Sequence, residues 1–286
     1  MELPIEYART LEKKIELTLG YALYLRKTHG KRLAHVVLPP AVKNDCLVVA
    51  NLATPPCALY YQLIGAEKEE TDAGSSFALD IVYILENYVL DLLHCNDRQG
   101  EVVWPYLLAP DGEIKGYYDG WLPEGLMECA CIIEIKVMDG DSFGVKKQQA
   151  ANQEHIEQAF AYASRTRSPY FVIIYTNRGA MRSTPFYQVF AFRITDMKEA
   201  ERAVLELFVQ KFDPVLLALH SEINSNAPMV QQYEFESLRS RCWSNKNCVL
   251  DCRKEQHQDG YCWYRGICPY VGKHSENNDT FKQAMA

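Results

Sequence analysis

A chain of 286 residues with 30 basic and 37 acidic side chains, net charge −7, is long enough for one full hydrophobic core and too acidic for a strongly basic, non-specific nucleic-acid binder. No run of about 18 apolar residues suggests a membrane span, and Met1-Glu2-Leu3-Pro4 has neither a basic nor an apolar leader pattern, so a soluble intracellular protein is expected. Ten cysteines in that setting favour thiolate ligands or reduced core thiols over a disulfide framework.

Residues 5–29 read as a helix with a core stripe of Leu11, Ile15, Leu19 and Ala22. Val36-Val37-Leu38 and Cys46-Leu47-Val48-Val49 read as extended pieces around a turn, with Cys46 a core thiol. Next comes the block Thr54-Pro55-Pro56-Cys57-Ala58-Leu59-Tyr60-Tyr61, then an acidic run from Glu67 to Asp72 and an apolar helix over 75–94. Glu86 and His94 are the polar residues of that helix able to bind a metal; a paired core Glu and a helix-end His are the plainer readings.

Gly112 to Trp121 predicts a short strand that carries Asp119 into a turn, and Cys131 to Met138 predicts a second, mostly β-branched strand. Side chains alternate faces along a strand, so Glu134 and Lys136 share one side and Asp119 is expected beside them. A buried acid and base on one face are costly unless they pair or meet a metal ion and an anionic substrate. Two carboxylates from neighbouring strands offer hard oxygen ligands suited to Mg²⁺ or Mn²⁺, and Lys136 offers an amino group that orients an attacking water as the ammonium or deprotonates it as the neutral amine. An isolated E-x-K is usually only an exposed ion pair, so its context decides.

That context is a turn-rich loop over 137–144, then a helix over 146–164 with Ile156, Ala159, Phe160 and Ala163 on its core face and with Gln158 and Tyr162 one turn apart beside it. Tyr170 to Tyr175 and Tyr187 to Arg193 are strand candidates. Residues 197–223 read as helix interrupted at Asp213-Pro214, and 224–240 as a polar connection. Five of the ten cysteines then fall between Cys242 and Cys268, spaced x5, x3, x9 and x5, a pattern without the C-x-x-C knuckles of a zinc ribbon. Spacing alone leaves zinc and iron–sulfur equally open.

In this order, at these spacings, Asp119, Glu134 with Lys136, and Gln158 with Tyr162 resemble the motifs of the PD-(D/E)xK nuclease superfamily, and within it the RecB-like and Cas4-like exonucleases. The resemblance implies an α/β, restriction-endonuclease-like core, a mixed central sheet flanked by helices, in one domain over 1–286. Its parts would be an N-terminal helical region (1–100), a catalytic core (101–195) and a C-terminal region of helices and cysteine cluster (196–286). It implies a Mg²⁺- or Mn²⁺-dependent deoxyribonuclease acting on DNA ends or single strands, with DNA and other DNA-processing proteins as partners. Asp119, Glu134, Lys136, Gln158 and Tyr162 would carry the catalysis, with Asp119 and Glu134 holding the metal. Where the resemblance calls for a histidine, the helix has Ala78 and Leu79, so Glu86 or His94 would replace it. Cys57 and the Cys262…Cys268 pair resemble ligands of a [4Fe–4S] cluster, with Cys252 as the fourth, Cys248 and Cys242 as alternates, and Zn²⁺ as the alternative metal. Two other functions remain open: a non-catalytic DNA-binding or adaptor subunit of the same fold, and a zinc-stabilised interaction protein.

Overall fold

The computed structural model describes residues 2–29, 46–54, 56–65, 73–122, 130–138, 143, 150–179 and 186–224. The side chain of Cys57, the loop after Met138 and all five C-terminal cysteines lie outside the described residues. The described chain runs β1 (Ile5–Tyr7), α1 (Arg9–His29), a 3-10 turn (Val49–Ala53), α2 (Pro56–Leu63), α3 (Ala73–Leu92), β2 (Asp97–Pro105), β3 (Glu113–Leu122), β4 (Cys131–Met138), α4 (Gln153–Thr166), β5 (Tyr170–Asn177), β6 (Tyr187–Ile194) and α5 (Met197–Asn224).

The six strands form one mixed sheet in the order β1-β6-β5-β4-β3-β2, flanked by helices, the α/β architecture expected. Only β4 and β5 are parallel, from Cys131 opposite Tyr170 to Met138 opposite Asn177. A parallel pair needs a crossover, and α4 supplies it. Both central strands are covered on both faces, which is why they read as nearly continuous apolar runs. Ile132, Phe171, Ile173 and Tyr175 face the layer of α2, α4 and α5, with Phe160, Phe208 and Phe212 in the same core. Cys131, Ile133, Ile135, Val172 and Ile174 face the layer of α1 and α3, against Ile15, Leu19, Val89 and Leu93.

Four expectations are corrected. The first helix begins at Arg9, because Ile5–Tyr7 pairs antiparallel with β6, Ile5 opposite Ile194. The N-terminal helical part, 1–100, also carries β1 and the start of β2, which begins at Asp97 and runs on to Pro105 beside β3, and these two strands are the edges of the sheet. Of the helix expected over 146–164, residues 146–149 lie outside the described residues, 150–152 are not helical, and α4 begins at Gln153 and ends with Arg167 in a left-handed cap. No break occurs at Asp213-Pro214; α5 runs through Pro214, because Phe208 and Phe212 before it and Val215 and Leu216 after it are buried. That packing outweighs the lost backbone bond.

Candidate active site

β3 and β4 pair over only three rows, Gly120–Ile133, Trp121–Ile132 and Leu122–Cys131. Beyond them the strands part, and the carboxylate of Asp119 enters the gap, its Oδ2 accepting the N–H of Ile135 at 2.6 Å. A side chain thus takes the place of a ladder carbonyl, which fixes Asp119 next to β4. The glycines around it make the approach possible. A Cβ on Gly116 would stand 2.5 Å from Cε1 of Tyr162, and one on Gly120 would stand 2.6 Å from Cδ2 of Leu90 and 2.9 Å from Sγ of Cys95. The two glycines therefore admit α4 from one side and α3 from the other.

Glu134 and Lys136 share the face of β4 that meets α4, as strand alternation requires. Lys136 Nζ donates to Glu134 Oε1 at 2.6 Å and to Gln158 Oε1 at 2.9 Å. Gln158 Nε2 in turn donates to the Tyr162 hydroxyl at 3.1 Å, and the i, i+4 spacing on α4 is what lines the two up. These side chains, with Asp119, line one open cavity of about 210 Å³. Its wall also includes Val48 just before the 3-10 turn and Ala50 within it, Tyr83 and Glu86 of α3, and Gln99 of β2.

The two residues offered in place of the missing histidine part company here. Glu86 lines the cavity, whereas His94 lies beyond the end of α3, exposed and at φ 53°, and does not line it. Eight residues at 1.5 Å each put the two about 12 Å apart along a helix, so one cleft does not take both.

Three carboxyl groups and one ammonium share this space. Burial holds all three carboxyls above their usual range. For Asp119 the charges of Glu134 and Glu86 push further the same way, only partly offset by Lys136 and the Ile135 amide. Glu134 stays raised against the pull of its ion pair with Lys136. Glu86 is pushed up to about 7, by burial and then by Glu134. Burial alone would lower Lys136, yet Glu134 and Asp119 outweigh it and keep the ammonium charged.

The chemistry of the donor set fits a hard divalent cation. Glu134 is 2 % exposed, and its Oε2 is buried without a hydrogen-bond partner, a cost that an ion would remove. Carboxylate oxygens are the ligands Mg²⁺ and Mn²⁺ take. As the side chains stand, no group of three or more His, Cys, Asp or Glu among the described residues is gathered to hold a metal, because Asp119 is turned to the Ile135 amide and Glu134 to Lys136. Cys46, Cys95 and Cys131, the cysteines whose side chains are described, are buried thiols, and burial pushes Cys95 up to about 11 and Cys131 higher still.

Gln99 is the member of the site that carried no signal in the sequence. The β2–β3 register sets Arg98 opposite Gly120 and Gly100 opposite Tyr118, so Gln99 stands across from Asp119. Its φ is +55°, in the left-handed region, where a residue other than glycine costs roughly 1–2 kcal/mol. The hairpin turns at this point: Gly116 looks toward Tyr162 in one layer, Gly120 toward Leu90 in the other.

No family model matches the sequence, and no curated protein matches it. Solved structures of similar shape include that of SSO0001, 16% identical, covering 90% of this chain and 96% of that one with a TM-score of 0.44. The alkaline exonuclease LHK-Exo from Laribacter hongkongensis is 15% identical, covering 64% of this chain and 95% of that one, TM-score 0.38. LHK-Exo in complex with dAMP gives 13% identity over the same shares, TM-score 0.41.

Proposed function

We propose that this chain is a metal-dependent deoxyribonuclease of the RecB-like and Cas4-like kind, which hydrolyses phosphodiesters at DNA ends or in single strands. The observation that carries the reading is the convergence of Asp119, Glu134, Lys136, Gln158 and Tyr162, from two strands and one helix, on a single cleft in which one carboxylate oxygen is buried and unsatisfied. Asp119 and Glu134, joined by Glu86, would hold Mg²⁺ or Mn²⁺. When bound there, such an ion supplies positive charge to a phosphoryl oxygen and makes water a better nucleophile at neutral pH. Lys136 keeps its ammonium in the cleft, where it offsets charge that develops on the phosphoryl oxygens. Gln158 holds that ammonium in place, and Tyr162 in turn holds Gln158.

A [4Fe–4S] cluster on Cys57, Cys252, Cys262 and Cys268 belongs to the same proposal and rests on the sequence resemblance. Iron analysis of anaerobically purified protein tests it: about four irons per chain are expected, and one zinc with no iron would replace the cluster with a zinc site.

The function itself is tested by incubating linear single-stranded and duplex DNA with the full chain. Cleavage is expected with Mg²⁺ or Mn²⁺ and is lost on chelation. Intact protein that cleaves neither substrate with either ion would mark the chain as a DNA-binding or adaptor subunit.

A further inference from the structure

Gln99 combines three features: a left-handed backbone inside a strand, a place across the β2–β3 ladder from Asp119, and a position on the cavity wall. The backbone requirement alone calls for glycine, which reaches positive φ without strain, and a glycine stands at the very next position, Gly100. A long carboxamide at the corner is thus a residue whose conformation lowers stability. Strained non-glycine residues persist where the surroundings fix them, and they concentrate at functional sites. The place where the strain sits matters here, because Gln99 lines the cleft.

We infer that Gln99 is a substrate-binding residue, which donates its side-chain N–H to a non-bridging phosphate oxygen of the nucleotide next to the scissile one. This rests on the nuclease reading above. The cleft presents Glu86, Asp119 and Glu134 to any incoming strand, and three carboxyl groups repel a phosphate that they do not share an ion with. A neutral amide beside them is a donor that adds no charge to the carboxylate cluster, so it holds the strand without competing with Lys136 for Glu134. A phosphate contact carries no sequence information, so its effect is uniform across DNA sequences.

The test is steady-state cleavage of fluorescently labelled oligonucleotides with Mn²⁺ by the wild type, Gln99→Met and Gln99→Gly, alongside thermal unfolding. Gln99→Met keeps the length and the backbone strain and removes the carboxamide, donor and acceptor together. It is expected to keep its Tm and kcat and to raise KM roughly tenfold, the scale of one hydrogen bond to a charged group. Gln99→Gly relieves the strain, and is expected to raise Tm by roughly a few degrees while raising KM by the same factor. Wild-type KM in both variants would make Gln99 a purely structural corner, and a KM rise confined to one base identity would replace the phosphate contact by base readout; either result overturns the proposal. Absence of cleavage by the wild type overturns the nuclease reading instead, and this proposal with it.

Discussion

Lys136 satisfies one of the two oxygens of Glu134, at 2.6 Å, and leaves the other buried without a partner. An ion pair that neutralises only half of a buried carboxylate is poor economy for stability, since desolvation of the two charges rivals their attraction. It is sound arrangement for a site that takes a second cation. Glu134→Gln, Asp119→Asn and Lys136→Met are each expected to lower the rate of DNA cleavage by roughly a hundredfold or more, the scale on which one charge-stabilising group acts. Single-turnover assays at saturating Mn²⁺ check this, and full activity in Lys136→Met would remove it from the mechanism.

The same pair predicts a stability signature. Without Lys136 the carboxylate of Glu134 loses its counter-charge. Lys136→Ala is therefore expected to lower Tm in chelator, by less than the roughly 3–5 kcal/mol of a fully buried pair, because the lysine side chain is 24% exposed. Mg²⁺ or Mn²⁺ should raise the Tm of the wild type, by an amount equivalent to about 2.7 kcal/mol when the ion is at a hundred times its Kd. Glu134→Gln should show no such rise. Differential scanning calorimetry with and without the ion measures both.

Glu86 sets a pH dependence in the metal-free protein. Its ordinary value is 4.5, and the folded state pushes it up to about 7, through burial and then the charge of Glu134. The folded protein therefore holds a proton that the unfolded chain has lost, so stability falls as pH rises from about 4.5 to about 7 and levels off above. The loss amounts to at most about 3 kcal/mol, lessened by the solvent that reaches this half-buried side chain. Glu86→Gln should flatten the decline between pH 5 and 7.5 in chelator. Identical pH profiles of Tm for variant and wild type would show that Glu86 is solvated rather than held against Glu134.

Gly116 predicts a packing effect. A methyl group there would sit 2.5 Å from the Tyr162 ring and 2.9 Å from Cγ2 of Val49, and the ring cannot retreat freely because its hydroxyl is held by Gln158. Gly116→Ala is expected to destabilise by roughly 1–3 kcal/mol and to shift the Gln158–Lys136 contact with it. The check is Tm together with kcat; a loss of Tm alone would mean that the ring moves without disturbing Lys136.

Much of the site was legible because it depends on local periodicity. Period two placed Glu134 and Lys136 on one face of β4, and the four-residue spacing placed Gln158 above Tyr162 on α4. The run of strand, strand, helix, strand, strand from β3 to β6 followed from apolar patterning. What was not legible depends on tertiary placement. Three residues, Ile5–Tyr7, are too few for any period, and β2 begins Asp97-Arg98-Gln99-Gly100, a polar opening that reads as loop. Which of Glu86 and His94 meets the cleft is set by the docking of α3 on β4, which no spacing along α3 encodes. Gln99 is a residue of ordinary type whose role comes from its backbone angle and from what faces it across the ladder. The unbroken α5 shows the opposite error, a strong local signal at Pro214 overruled by the aromatic core on either side.

The pairing of β1 with β6 has a consequence for how the chain is made. Arg193 bonds Glu6 across 187 residues of sequence, so β1 waits for β6, its partner among the described strands, to be synthesised. At about 5–20 residues per second that is a wait of roughly 10–40 s. Contacts so distant in sequence form slowly in any case, since the loop they close is long. Every side chain proposed for the cleft, from Glu86 to Tyr162, is synthesised within that interval. The nascent chain thus has time to assemble its acidic centre while the far edge of the sheet is still open, and the shortness of Ile5–Tyr7, with a charged residue at its middle, keeps the waiting edge from recruiting a neighbouring nascent chain.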